Sequence, residues 1–109
     1  MIEIQSRYMR ILIMYDIQMD DENVPLYNKF RQTLIKLGYV RLQYSIYVKC
    51  IANNNVYEYE KAKLIKHIPK HANIRIISIT ESQYQNMEIL AGEKSLNELY
   101  LDEKIYIEV

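Results

Sequence analysis

A carboxylate at the end of a hydrophobic run is the first group in this chain that could do chemistry. In RILIMYDIQMDDEN, residues 10–23, the apolar stretch stops at Asp16, and Asp20, Asp21 and Glu22 follow at once. A strand-end aspartate can cap the loop that leaves the strand. It can also ligate a hard divalent ion, which takes carboxylate oxygens and needs more than one such group. A two-fold axis passing near the strand end would bring in a second Asp16. Paired carboxylates with a divalent ion can activate water and steady a phosphoryl oxygen.

Other chemistries find little support. The sequence contains no GxGxxG, no P-loop and no CxxC pair. His67 and His71 stand four apart, a spacing that suits a metal pair on a helix, but Pro69 lies between them and breaks the helix that would align them. They read as surface histidines. Cys50 is the single cysteine, so no intrachain disulfide can form, and it reads as a small buried apolar residue. That usage suits a reducing cytoplasm. No signal peptide and no apolar stretch of the roughly 20 residues needed to cross a bilayer are visible. The expected setting is cytoplasmic.

Charge is unevenly placed. The chain is neutral overall, yet residues 1–23 carry net −3, residues 24–75 net +8 and residues 76–109 net −5. The middle cations are Lys29, Arg31, Lys36, Arg41, Lys49, Lys61, Lys63, Lys66, Lys70 and Arg75. Gathered on one face they would bind a polyanion; spread over helix surfaces they would simply be solvated. Eleven tyrosines interleave with them in places. Such interleaving can stack single-stranded bases, but filling a small core or a dimer interface accounts for the tyrosines as well and is the favoured reading.

The elements that must position Asp16 follow from periodicity. YMRILIMYD, 8–16, reads as a central strand, apolar on both faces. A helix over 24–37 follows, with Leu26, Phe30, Leu34 and Leu37 at helical spacing, Asp20, Asp21 and Asn23 as capping groups, Pro25 in the first turn and Gly38 as the stop. YVRLQYSIYVKCI, 39–51, is one bent strand or two short ones, with no Gly, Pro or Asn to mark a turn. A helix to about Ile68 has Tyr57, Leu64, Ile65 and Ile68 facing inward, and Pro69 beyond. NIRIISIT, 73–80, is a strand, and TESQ is a capping box that opens a short helix with Tyr84, Met87 and Leu90, stopped by Gly92. IYIEV, 105–109, alternates as a last strand. Two helices on one face of a small antiparallel sheet make an α+β sandwich, most simply the ferredoxin-like βαββαβ arrangement, as one domain over 1–94 with an extension over 95–109. The bare sheet face then calls for a homodimer.

Four stretches in order carry a family resemblance: RILIMYDI with Asp16 at its end, YNKFRQTLIKLGY, LQYSIY, and RIISITESQYQNMEILAGEK. With these the chain resembles the CRISPR-associated endonucleases of the Cas-two family, the second core adaptation protein, in the versions found in type II systems. The resemblance spans nearly the whole chain. It implies a ferredoxin-like homodimer in which each C-terminal strand joins the neighbouring protomer's sheet. It implies work in spacer acquisition, with the dimer set between dimers of the CRISPR integrase (Cas-one) on a short duplex DNA, where it serves mainly as a scaffold. It implies a Mg²⁺-dependent nuclease of RNA or DNA, or one using another divalent ion such as Mn²⁺, with Asp16 as catalytic and metal-binding residue. Arg31 and Ser45 match positions near that site and are expected to contact phosphate or support it. The LQYS match also implies a turn between two strands. Backbone contacts would come from the basic middle segment: Lys29, Lys36, Arg41, Lys49, Lys61, Lys63, Lys66, Lys70 and Arg75. No membrane partner is expected. A ferredoxin-like toxin-type ribonuclease or ligand-sensing module unrelated to CRISPR is the alternative, since this fold hosts many functions.

Overall fold

The structure, a computed structural model, describes residues 8–17, 22–94 and 98–99. The elements run β1 (Met9–Ile17), α1 (Val24–Lys36), β2 (Val40–Gln43), β3 (Ile46–Ile51), α2 (Asn55–Ile65), β4 (Ala72–Thr80) and α3 (Glu81–Gln85). The strands form one antiparallel sheet in the order β2-β3-β1-β4. This is the ferredoxin-like α+β sandwich that the pattern predicts, with β1 central. The expected strand at 105–109, and the cap groups Asp20 and Asp21, lie outside the described residues.

Alternation along β1 divides the molecule into two sides. Ile11, Ile13, Tyr15 and Ile17 point to the helices and pack with Phe30 and Leu34 of α1, Leu64 of α2, and Tyr39, Tyr47 and Ile51. Arg10, Leu12, Met14 and Asp16 point to the other side. Of the expected inward stripe of α1, Phe30 and Leu34 are buried and Leu26 and Leu37 half-buried. Pro25 lies in the first turn, and Gly38, at φ +94°, takes the left-handed conformation that ends the helix. Asn23 occupies the N-cap position but makes no side-chain capping bond; its carbonyl accepts from the Tyr27 N–H at 2.8 Å.

Three local expectations are resolved, two of them with a correction. Residues 39–51 form two strands, as the LQYS match implied, turning at Tyr44–Ser45. Ser45 takes φ +63°, the conformation usually left to Gly or Asn. The helix α2 ends at Ile65, before Pro69 can stop it, and buries Glu60 and Leu64, leaving Ile65 and Ile68 exposed. The reason is a polar lock. Glu60 Oε1 accepts from Lys49 Nζ of β3 at 2.8 Å and from the Tyr39 hydroxyl at 3.2 Å, and Oε2 pairs with Lys63 Nζ at 2.9 Å. Lys49 also donates to the Leu37 carbonyl at 2.7 Å, so one carboxylate ties α2 to β3 and to the end of α1. Finally, α3 has its capping box: the Gln83 N–H donates to Thr80 Oγ1 at 3.0 Å, and the Thr80 N–H to Gln83 Oε1 at 2.9 Å. The helix nevertheless closes after Gln85, and Met87 and Leu90 are exposed.

The second sheet face is only partly covered. Arg10, fully buried, donates through Nε and Nη2 to both Glu81 carboxylate oxygens, with its guanidinium 4.1 Å from the Tyr84 ring centre. This pair pins α3 onto the strand. Beyond it lies an open apolar hollow of about 620 Å³, lined by Leu12, Met14, Leu42 and Ile46 of the sheet and by residues 87–93 and Glu98.

Candidate nucleic-acid site at the end of the central strand

Strand register decides what surrounds Asp16. Asp16 pairs with Asn73, and Met14 with Arg75, so both β4 residues share its face. From the other flank, the Tyr15 N–H donates to the Ser45 carbonyl at 3.1 Å, which fastens the β2–β3 turn beside the strand end. Asp16, Tyr44, Ser45, Asn73 and Arg75, with Met14, Tyr15 and Ile46, line a shallow open hollow of about 330 Å³. Asp16 itself is exposed. The loop 66–71, with Lys66 and Lys70, feeds β4 at this same end of the sheet, as its first residue, Ala72, pairs with Ile17.

An aromatic cluster lies on the helix side of the same strand end. Tyr15 packs edge-on against Phe30 at 5.2 Å between ring centres, and against Tyr27 at 5.7 Å and Tyr47 at 6.0 Å. Burial, with the neighbouring Tyr47 hydroxyl, pushes the Tyr15 hydroxyl far above the ordinary tyrosine range, so it stays neutral. Burial would also raise Tyr27, but the nearby Tyr44, Ser45 and Tyr15 groups outweigh it and set Tyr27 below its ordinary value.

The residues expected at the site separate into groups. Ser45 stands beside Asp16, and so does Arg75, which the sequence placed only in the general basic set. Arg31 sits half-buried on α1 and does not line the hollow. Lys29, Lys36, Arg41, Lys66, Lys70 and Arg75 are exposed. Lys49 and Lys63 are held by Glu60, and Lys61 by Glu58 at 3.0 Å. His67 and His71 are exposed, as surface histidines should be. Cys50 is half-buried on the face opposite the helices, across from Arg10. Tyr39, Tyr47, Tyr15 and Tyr84 are buried, in keeping with a core role for tyrosine. Sequence reasoning missed Asn73, whose place depends on a pairing 57 positions away along the chain, and it missed Tyr44 as a neighbour of Asp16.

Among the described residues no group of three or more His, Cys, Asp or Glu could cage a metal. Asp16, with the Ser45 hydroxyl and the Asn73 carboxamide, offers instead the sparse oxygen set of a Mg²⁺ ion that keeps several waters and takes phosphate oxygens from its substrate. The donor set fits that ion and does not fit an all-protein cage.

An exposed strand-end carboxylate with an arginine beside it, on a ferredoxin-like sandwich, marks the candidate site of an α+β domain. Comparison with known proteins gives the family. The family described as "CRISPR associated protein Cas2" matches residues 9–87. A Campylobacter jejuni protein named CRISPR-associated endoribonuclease Cas2 is 35% identical over 96 residues, covering 87% of this chain and 67% of its own. A Streptococcus mutans protein of the same name is 36% identical over 87 residues, covering 79% and 80%. One from Treponema denticola is 31% identical over 100 residues, covering 91% and 99%. A solved structure, described as a crystal structure of cas2, superposes with a TM-score of 0.55 over 82% of this chain and 92% of that one, at 19% identity, a likeness of fold. The chain belongs to the Cas2 family of CRISPR-associated proteins.

Proposed function

We propose that this protein acts in CRISPR adaptation as a homodimer that binds duplex DNA through its backbone alongside the CRISPR integrase, and that Asp16 centres a Mg²⁺-assisted phosphodiester cleavage of RNA or DNA. The observation that carries the reading is the exposed Asp16 at a strand end with Arg75, Ser45 and Asn73 around it. Relatives named endoribonucleases support the cleavage part. Arg75 would take a phosphate oxygen, and Asp16 and Asn73 would orient the ion and its waters. Bound Mg²⁺ would supply Lewis-acid stabilisation of phosphoryl charge.

The dimer accounts for the bare sheet face. Ile77, Met87, Ile89 and Leu90 are exposed there, Leu90 at 95% of its surface, and a second copy would cover them and bring a second carboxylate toward the first. Exposed Lys29, Lys36, Arg41, Lys66, Lys70 and Arg75 supply sequence-blind contacts, as suits a protein that must accept any duplex.

Sedimentation and fluorescence anisotropy on a labelled blunt duplex, with and without the integrase, test this reading. The expected result is a dimer whose duplex affinity falls steeply with salt and which joins the integrase in one complex. A monomer that neither binds duplex nor joins the integrase would overturn it.

A further inference from the structure

Among the described tyrosines Tyr44 and Tyr59 are the exposed ones, and of the two Tyr44 lines the Asp16 hollow. Its ring sits at the lip of the Asp16 hollow, is 66% exposed and contributes little to the core. It is nonetheless held in place from two directions. The turn that carries it is fastened by the Tyr15 N–H to Ser45 carbonyl bond. The Arg41 guanidinium lies over its ring, 5.2 Å from the centre. Ser45, next in the chain, accepts a left-handed backbone to make this turn, a conformation that costs a non-glycine residue on the order of 1 kcal/mol. An exposed aromatic ring that is fixed, backed by a cation and set beside the candidate site has the form of a base-stacking surface.

We propose that Tyr44, backed by Arg41 and carried on the fastened β2–β3 turn, is a stacking platform for one unpaired base, which sets the adjoining phosphodiester over Asp16. The ligand class is a nucleic acid with an unpaired nucleotide: a single strand, a frayed end or an overhang. A base inside a closed duplex has no free face to offer, so the platform separates unpaired from fully paired substrates at one site. Arg75 and the loop lysines contact phosphate whichever form is bound. The proposal rests on the nucleic-acid reading above.

The test uses the full-length protein, a short single strand carrying one 2-aminopurine in DNA and RNA versions, and a blunt duplex of the same sequence. Wild type should quench the 2-aminopurine on binding. Tyr44→Ala should lose roughly 5- to 100-fold in single-strand affinity, the range seen when one stacking aromatic is removed, with less than a twofold change for the blunt duplex. Tyr44→Phe keeps the ring and should stay within a fewfold of wild type. The DNA and RNA arms identify which strand the platform prefers. Equal losses on strand and duplex, a Tyr44→Phe defect as large as that of Tyr44→Ala, or wild-type binding without quenching would overturn the platform while leaving nucleic-acid binding in place. Failure of wild type to bind either probe would overturn both readings.

Discussion

Removing the buried carboxylate of Glu60 should loosen three elements at once. Glu60 is 2% exposed and accepts from Tyr39, Lys49 and Lys63. Breaking a fully buried ion pair by deleting one partner costs about 3–5 kcal/mol, since the remaining charge is left stranded. Here the cost is smaller. The Lys49 and Lys63 side chains are 23% and 34% exposed, so both can turn toward water, and Lys49 keeps the Leu37 carbonyl. The Tyr39 hydroxyl, by contrast, is left buried without its acceptor. A loss of about 2–3 kcal/mol follows for Glu60→Ala, and about 1 kcal/mol for Glu60→Gln, which keeps an acceptor. At roughly 4 °C per kcal/mol for a domain of this size, Glu60→Ala should melt about 8–12 °C below wild type. The same group gives a pH signature. Burial alone would raise its pKa, but the hydrogen bonds from Lys49 and Lys63 prevail and hold it below its ordinary 4.5. A depressed carboxylate stabilises the fold above its unfolded value and loses that contribution as pH falls through its folded value. Wild type should therefore lose this stability below about pH 4.5, and Glu60→Gln should not show that component. Scanning calorimetry from neutral pH into acid measures both. A Glu60→Ala protein melting within about 2 °C of wild type at neutral pH would refute the reasoning.

If the exposed cations bind duplex as proposed, the lysines should divide into two groups. Lys66→Ala and Lys70→Ala should each lower the salt slope of duplex binding by about 1, whereas Lys49→Ala should leave the slope unchanged and lower the melting temperature. Ser45→Gly relieves a positive φ and should be neutral or stabilising by a few tenths to about 1 kcal/mol in chemical denaturation, whereas Ser45→Val should destabilise by about 1–2 kcal/mol. Arg10→Met leaves the Glu81 carboxylate buried without its guanidinium and should cost about 3–5 kcal/mol in the same assay, with partial recovery in Arg10→Met plus Glu81→Leu.

Much of the frame was readable along the chain because it is local. Apolar side chains on both faces of 9–17 mark a central strand, Phe30 and Leu34 mark the inner face of α1, and Thr80 with Gln83 marks a helix start. What escaped depends on neighbours far away in sequence. Glu60 is buried only because Lys49 of β3 and Tyr39 meet it across the fold. Of the expected stripe, Leu64 is buried and Tyr57 packs half-buried against the core, whereas Ile65 and Ile68 are exposed beside an apolar hollow with Ile74 and Ile76. Met87 and Leu90 continue the period of α3, but among the described residues no layer lies over them, and a short helix without a packed face does not propagate. The hairpin turn was hidden because Ser45 adopts a conformation that its residue type rarely advertises. At the site, Asp16 was legible as a strand-end acid. Arg75 and Asn73 were not, because antiparallel register alone brings them to it.

If Asp16 centres phosphodiester cleavage as proposed, wild type should cut labelled RNA or duplex DNA only with Mg²⁺, and Asp16→Asn should lose the cut while still binding the same probes. Cleavage by Asp16→Asn at the wild-type rate would show that Asp16 is not the catalytic group.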